Sequence, residues 1–247
     1  MIVQQSSLQP EPYQQQDFNQ LLLANRGVAL SSIKEFFSQP DNWLDESTLI
    51  KDGDTTTVAL VVLQNVPLVL KRYNMVSVWH RLKRSIQPSR AMRCWHNALR
   101  LRALGIHTPK PVAVFERRWG PLRGTAYLLT DYIVGTRVSR YLAANPELEQ
   151  TNKIVRAFKQ LFTQLLKANI CHGDTKADNF IWTDQQQLWA VDLDGMRYIA
   201  NNKVFVQRFS KDLNRFIRNW QSKPEVLNEF LPHIEILKQQ LKDKLKK

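Results

Sequence analysis

The chain reads as an α+β protein in two parts: a small antiparallel sheet of five strands with one helix, then a larger helical region. Three observations carry that reading. Runs rich in Val, Leu and Thr, separated by turn residues, recur between 48 and 132 and suit strands. One helical pattern, 88–105, interrupts them after the third run. Beyond Gly135 the periodicity turns helical, apart from one short hairpin.

The elements follow in order. Residues 1–25 are an N-terminal extension whose first part is Gln-rich with few large apolar groups, so a mobile or loosely docked segment is expected. The stretch 21–37 carries enough apolar residues for one or two short helical pieces. Strands are expected at 48–51, 55–63 and 68–73, with turns at Asp52-Gly53 and Asn65-Val66-Pro67. Pro88-Ser89 opens the helix and Gly105 closes it. Within it Met92, Trp95 and Leu99, with Ala91, Ala98 and Leu101, form an apolar face, while Arg90, Arg93 and Arg100 share another. Strands at 112–115 and 125–132 complete the sheet. The segment 150–169 is a long amphipathic helix with Ile154, Phe158, Leu161, Phe162 and Leu165 facing a core. Helices resume near 204, and the last, 234–247, has a basic tip that suits the negative end of the helix dipole. The parts are therefore the extension 1–25, a sheet-bearing part 26–132 and a helical part 133–247.

Composition narrows the class. With 247 residues, 43% hydrophobic and 23% charged, the chain can bury a substantial core. Two cysteines, Cys94 and Cys171, exclude a disulfide framework and fit a reducing compartment. The N-terminus shows no basic segment followed by an apolar one, and the most apolar run, 58–70, is broken by Gln64, Asn65 and Pro67. A cytoplasmic, non-spanning protein is expected. The net charge is +13, and no acidic residue occurs between Asp54 and Glu116, an interval holding Lys71, Arg72, Arg81, Lys83, Arg84, Arg90, Arg93, Arg100, Arg102 and Lys110. Such a one-signed field attracts anionic partners: phosphorylated sugars, anionic lipid head groups or nucleic acid. Nucleic acid is disfavoured, because no helix-turn-helix, zinc or RNA-binding motif is present.

The chemistry concentrates in Cys171-His172-Gly173-Asp174-Thr175-Lys176-Ala177-Asp178-Asn179, followed by Val191-Asp192-Leu193-Asp194-Gly195. Phosphoryl transfer from ATP needs four groups that occur here in order. An acid, Asp174, takes the acceptor proton, and a lysine, Lys176, neutralises the moving group. Asn179 and Asp192 supply hard oxygens for magnesium. The runs Phe180-Ile181-Trp182 and Leu188-Trp189-Ala190-Val191 read as two strands around the turn 183–187. That hairpin brings Asn179 and Asp192 side by side. His172 is expected to pack the loop rather than titrate, and Asp212 to brace it from a helix.

His-Gly-Asp-x-Lys-x-x-Asn followed by a strand ending in Asp resembles the catalytic and metal-binding loops of the protein-kinase-like superfamily. The longer context is similar to the lipopolysaccharide kinases of the WaaP/InaA type. It comprises Leu70-Lys71-Arg72-Tyr73-Asn74, Gly105-Ile106-His107-Thr108-Pro109-Lys110-Pro111, the loop at 172–179 and Asp192-Leu193-Asp194-Gly195-Met196-Arg197. The resemblance runs from about 48 to about 220. It implies a two-lobed kinase-like fold and an ATP- and magnesium-dependent kinase acting on a heptose or Kdo hydroxyl of the lipopolysaccharide inner core. It further implies peripheral contact with the cytoplasmic face of the inner membrane. Asp174 and Lys176 become catalytic, and Asn179 and Asp192 the metal ligands. Lys71, Gly53, Thr55, Thr130 and Tyr132 become nucleotide-binding, with 128–132 as the hinge beside adenine.

The chain departs from the general kinase pattern twice. The helix after Lys71 has no acid to pair with it, so Glu35 or Glu46 must reach in, or phosphates and Asp192 position the lysine alone. The Asp52-Gly53-Asp54-Thr55-Thr56 turn has one glycine where a phosphate-covering loop usually has three. Other readings of the same residues are a small-molecule or protein kinase, and a non-catalytic module binding anionic lipid or nucleic acid. Arg90, Arg93 and Arg197 are candidate anion contacts.

Overall fold

The computed structural model describes residues 12–26, 29–74, 88–144 and 147–246. They form a mixed α+β fold, consistent with a kinase-like protein. The chain divides into two compact units, Met1–His96 with Lys110–Tyr132 and Asn97–Pro109 with Ile133–Lys247.

The first unit is built on an antiparallel sheet of seven strands, not the expected five, in the order β1-β2-β6-β7-β5-β4-β3. The five expected strands are present as β3 (Thr48–Lys51), β4 (Thr56–Leu63), β5 (Val66–Tyr73), β6 (Pro111–Trp119) and β7 (Leu122–Asp131). The extra two are β1 (Tyr13–Gln16) and β2 (Gln20–Ala24), from the segment read as a loosely docked extension and the start of a helix. Leu21 to Ala24 are buried, with Leu22 opposite Phe115 and Ala24 opposite Ala113 on β6. A run of four apolar residues fits a buried strand as well as a helix, and the open edge of β6 decides between them. The β4–β5 turn also lies earlier than expected. Gln64 and Asn65 take positive φ there, while Val66 and Pro67 join the strand.

Helices α1 (Leu30–Ser38) and α2 (Pro40–Asp45) pack Ile33, Phe36, Phe37 and Leu44 onto one sheet face, against Ala59, Val61, Leu68, Leu70, Tyr127 and Leu129. Asp41 ties that layer down. It accepts from the Tyr127 hydroxyl at 2.8 Å and pairs with Arg72 and Arg117, each at 3.1 Å. Burial pulls its carboxyl up, but the bonds from Tyr127 and Arg72 outweigh that and hold it below the usual carboxylate value.

Helix α3 (Arg90–Ala103) begins where expected: Ser89 Oγ caps it by accepting from Met92 N at 3.0 Å, and Gly105 ends it at φ +72°. Its buried stripe is Ala91, Cys94, Trp95, Ala98 and Leu101, at helical spacing. Met92 and Leu99, expected inside, are only half-buried. The division between the units falls within this helix, after His96.

The second unit gathers α4 (Val138–Ala143), α5 (Leu148–Lys167), α6 (Asn202–Arg218) and α7 (Pro224–Lys244). The last helix therefore begins ten residues before the expected start at 234. Its core is aromatic: Phe158 lies 4.8 Å from Phe216 and 4.9 Å from Phe180, and Phe230 packs edge-on to Phe216 at 4.9 Å. Every residue expected inside the long helix α5 is buried. The expected hairpin is present as β10 (Phe180–Trp182) and β11 (Leu188–Ala190), joined by β8 (Thr136–Arg137) in a three-stranded sheet.

Candidate active site

In the second unit a short strand, β9 (Ile170–Cys171), pairs with β12 (Arg197–Tyr198) and delivers the loop that contains Asp174. Gly173 takes φ +84°, and a Cβ there would lie 2.6 Å from the Gly195 carbonyl oxygen. The two motif loops thus cross in backbone contact, which a side chain would prevent.

Asp212, buried on α6, braces this loop. Both of its carboxylate oxygens accept from Gly173 N at 3.1 Å, and its carbonyl accepts the Thr175 hydroxyl at 2.6 Å. Burial raises the Asp212 carboxyl while the Gly173 N–H pulls it back. Asn219 Nδ2 donates to Thr175 O at 2.9 Å. The backbone on both sides of Asp174 is therefore held to α6 and the residue after it. Its carboxylate accepts from Arg215 Nη1 at 2.7 Å, an ion pair that sequence reasoning missed.

The hairpin does to Asn179 and Asp192 what its strand lengths imply. Phe180 is opposite Ala190, and Val191 N donates to Asn179 O at 2.9 Å. Asn179 is buried, and its Nδ2 donates to the Asp174 carbonyl at 2.9 Å, leaving Oδ1 as the oxygen available to a cation. Asp192 sits at φ 60°, ψ 62°, a left-handed conformation that Asp reaches more readily than most side-chain-bearing residues. Asn97 holds the turn that follows, donating to Leu193 O at 2.8 Å and Met196 O at 3.2 Å. Thr108 Oγ1 donates to Ala190 O at 2.8 Å, and His107 stacks on Trp189 at 5.2 Å. The His107-Thr108 motif thus has a physical role: it holds the hairpin.

No group of three or more His, Cys, Asp or Glu able to hold a metal occurs among the described residues. One amide oxygen and one carboxylate do fit magnesium, which takes few protein ligands and completes its shell with phosphate and water oxygens. Lys176 is exposed on the same loop. Asp178 is held by Ser139 and Arg137.

His172 is 1% exposed and packs on Phe180 at 5.3 Å. Burial lowers its pKa below the ordinary 6.5, against the opposing pull of Asp174, Asp192 and Asp194. The sign follows from linkage. The unfolded chain takes up a proton near pH 6.5 and the folded chain does not, so stability present above that pH is lost as pH falls below it. The slope is at most about 1.4 kcal/mol per pH unit. His172→Leu is expected to fold and to flatten the dependence of urea midpoint on pH between neutrality and pH 5. An unchanged slope assigns the loss to other groups.

The nucleotide candidates all belong to the first unit. Lys71 is on β5 opposite Val58 and Leu128, and Val69 is opposite Leu60 and Thr130. Directly paired residues share a face, so Val58, Leu60, Val69, Lys71, Leu128 and Thr130 lie together on the face opposite α1 and α2. Leu128 is buried and the other five are half-buried. The Lys71 ammonium lies 5.0 Å over the Tyr73 ring. Glu35 and Glu46 do not take the place of the missing helix acid. They are exposed, and α1 and α2 pack on the other face. Gly53 and Thr55 lie in the β3–β4 turn, which Asn74 ties down by donating to Gly53 O at 3.3 Å, Asp54 O at 3.1 Å and Thr55 O at 3.1 Å. Tyr132 follows β7 and is 38% exposed.

Several cations of the acid-free interval are engaged within the protein. Arg72 binds Asp41, Arg90 lies over Tyr73, Arg100 over Tyr198, and Arg102 donates to Thr108 O. Arg81, Lys83 and Arg84 lie outside the described residues. Arg197 donates to Asp194 O and Met196 O.

An α+β fold carrying these loops is consistent with a kinase-like phosphotransferase. Over residues 35–243 the chain matches the model of the Lipopolysaccharide kinase (Kdo/WaaP) family, and it belongs to that family. Membership of a kinase family supports phosphotransferase activity and implies the use of ATP. A comparison with the curated proteins returns no match. Among the described residues no helix is long and apolar enough to cross a membrane.

Proposed function

We propose that this protein is an ATP- and magnesium-dependent kinase that phosphorylates a heptose or Kdo hydroxyl of the lipopolysaccharide inner core at the cytoplasmic face of the inner membrane. The observation that carries the reading is one short hydrogen-bonded path. Asn179 binds the Asp174 carbonyl through its side chain and Val191 N through its own carbonyl, so base, amide and Asp192 share one rigid framework.

Asp174 accepts the proton of the acceptor hydroxyl as the oxygen attacks phosphorus. Lys176 neutralises charge on the transferred group. Asn179 Oδ1 and the Asp192 carboxylate hold magnesium, which, when bound, neutralises the nucleotide phosphates and aligns them for transfer. Lys71 binds phosphate oxygens at the end of the half-buried apolar face, where Val58, Leu60, Val69 and Thr130 offer a surface of the size and polarity adenine needs. Gly53 and Thr55 cover the phosphates, and the 128–132 strand with Tyr132 borders the base. The basic surface favours the anionic acceptor and peripheral contact with anionic lipid.

The test is transfer of the ATP γ-phosphate to purified inner-core oligosaccharide, located on the product by mass spectrometry. Phosphate on a core sugar, with Asp192→Asn reducing transfer by about a hundredfold or more, is the expected result. Transfer to proteins or aminoglycosides but not to core sugar rejects the acceptor. No transfer to any of them rejects the kinase assignment.

A further inference from the structure

Beside the candidate base, the second unit has a cleft of about 480 Å³ lined by Lys211, Asn214, Arg215, Ile217, Arg218 and Gln221. Three of the six are cations, two are amides and none is acidic. Lys211, Asn214, Arg218 and Gln221 are exposed. The cations stand at i, i+4 and i+7 on α6, so they share one side of the helix and repel one another. The helix dipole accounts for Arg215 and Arg218, which lie in the last turn. It accounts neither for Lys211 nor for the amides Asn214 and Gln221.

Arg215 joins this cleft to the chemistry. Its Nη1 is engaged by Asp174 at 2.7 Å, which leaves Nη2 and Nε as donors for another acceptor. A planar guanidinium suits two oxygen acceptors at once, one on each edge. An anionic group on its second edge sits within about one sugar residue of the Asp174 carboxylate. Arg215 thereby measures the distance between a charged substituent and the hydroxyl that Asp174 deprotonates.

We propose that the cleft lined by Lys211, Arg215 and Arg218 is the anion subsite for the acceptor. It holds a carboxylate or phosphate substituent of the core saccharide and so presents the neighbouring hydroxyl to Asp174. This rests on the kinase reading for the identity of Asp174 as base, while the charge recognition stands on the cleft itself. It relocates acceptor recognition from Arg90, Arg93 and Arg197 to α6, the helix that also braces the loop through Asp212.

The experiment is calorimetric titration of the full chain with de-acylated inner-core oligosaccharide at fixed ionic strength. Parallel arms use the same oligosaccharide after carboxyl reduction, after dephosphorylation, and after both. The variant is the Lys211→Ala/Arg218→Ala double substitution, and the exposed pair Lys203→Ala/Lys242→Ala serves as the charge-matched control. The double variant is expected to bind the native oligosaccharide about tenfold or more weakly, with nucleotide affinity unchanged. The control is expected to bind like the wild type. The modified oligosaccharide that erases this gap identifies carboxylate or phosphate as the recognised group. In turnover the double variant raises acceptor KM and leaves kcat, as loss of uniform binding does.

Equal affinity of the double variant and the wild type overturns the proposal. So does equal affinity of the wild type for the native and doubly neutralised oligosaccharides, or no binding at all. Charge-dependent binding without phosphate transfer keeps the subsite and rejects the kinase reading. Transfer without charge dependence does the reverse.

Discussion

Asp174→Asn is expected to leave a folded protein that transfers phosphate about 10²- to 10⁴-fold more slowly, the usual worth of a positioned general base. The substitution keeps the shape of the side chain and removes its ability to take a proton. Little stability is at stake. The Asp174–Arg215 pair is 31% and 41% exposed at its side chains, so solvent screening limits its contribution to about 1 kcal/mol or less. The loop is held by other groups: Asp212 on Gly173 N and Thr175 Oγ1, and Asn219 on Thr175 O. Urea unfolding and single-turnover transfer, measured on the same preparation, separate the two effects. A variant with wild-type transfer removes Asp174 from the chemistry. One that loses transfer only through unfolding makes it a structural residue.

Gly173→Ala carries the largest expected cost to the fold around the site. At φ +84° an alanine pays on the order of 1–2 kcal/mol for its backbone conformation alone. Its Cβ would also stand 2.6 Å from Gly195 O and 2.9 Å from Gly195 C, both main-chain atoms that no rotamer change moves aside. Separating the loops adds a further ~1–3 kcal/mol by analogy with overpacked cores. It also shifts Asp174 relative to Asp192. Gly105→Ala is the matched control, because its φ is +72° and nothing lies within 4 Å of the added Cβ. The expected result is a small loss of thermal midpoint for Gly105→Ala, and for Gly173→Ala a larger one accompanied by loss of transfer. Equal losses in the two variants would show that loop crossing contributes nothing beyond backbone conformation.

The candidate site was legible to the extent that it is local. Asp174 and Asn179 lie five positions apart on one loop, and Asp192 returns through a hairpin whose two strands and turn are each marked by residue type. Periodicity likewise marks α5, whose buried residues recur at helical spacing over twenty positions. What escaped is non-local. Arg215 reaches Asp174 across 41 positions, and Asn97 reaches Leu193 across 96. A half-buried arginine and a helix-interior asparagine carry no sequence mark of a distant partner. The buried stripe of α3 shows the same limit: Asn97 is buried because two carbonyls meet it, while Leu99 is only half-buried.

Residue order alone sets the order of chemical groups, the hairpin that returns Asp192 to Asn179, and the family to which the chain belongs. Those depend on spacing along the backbone and on local turn chemistry, which neighbouring residues settle. Folding settles that Tyr13–Gln16 and Gln20–Ala24 are strands, because β6 presents an open edge that Gln20–Ala24 pairs and that a helix there would have left unpaired. It also decided that Glu35 and Glu46 are not partners for Lys71, because α1 and α2 cover the opposite face. Above all it decided that Arg215 of α6 meets the Asp174 carboxylate, whereas the brace from Asp212 on the same helix is already expected from the sequence. Each of these outcomes depends on which surfaces meet after folding, and no local pattern records that.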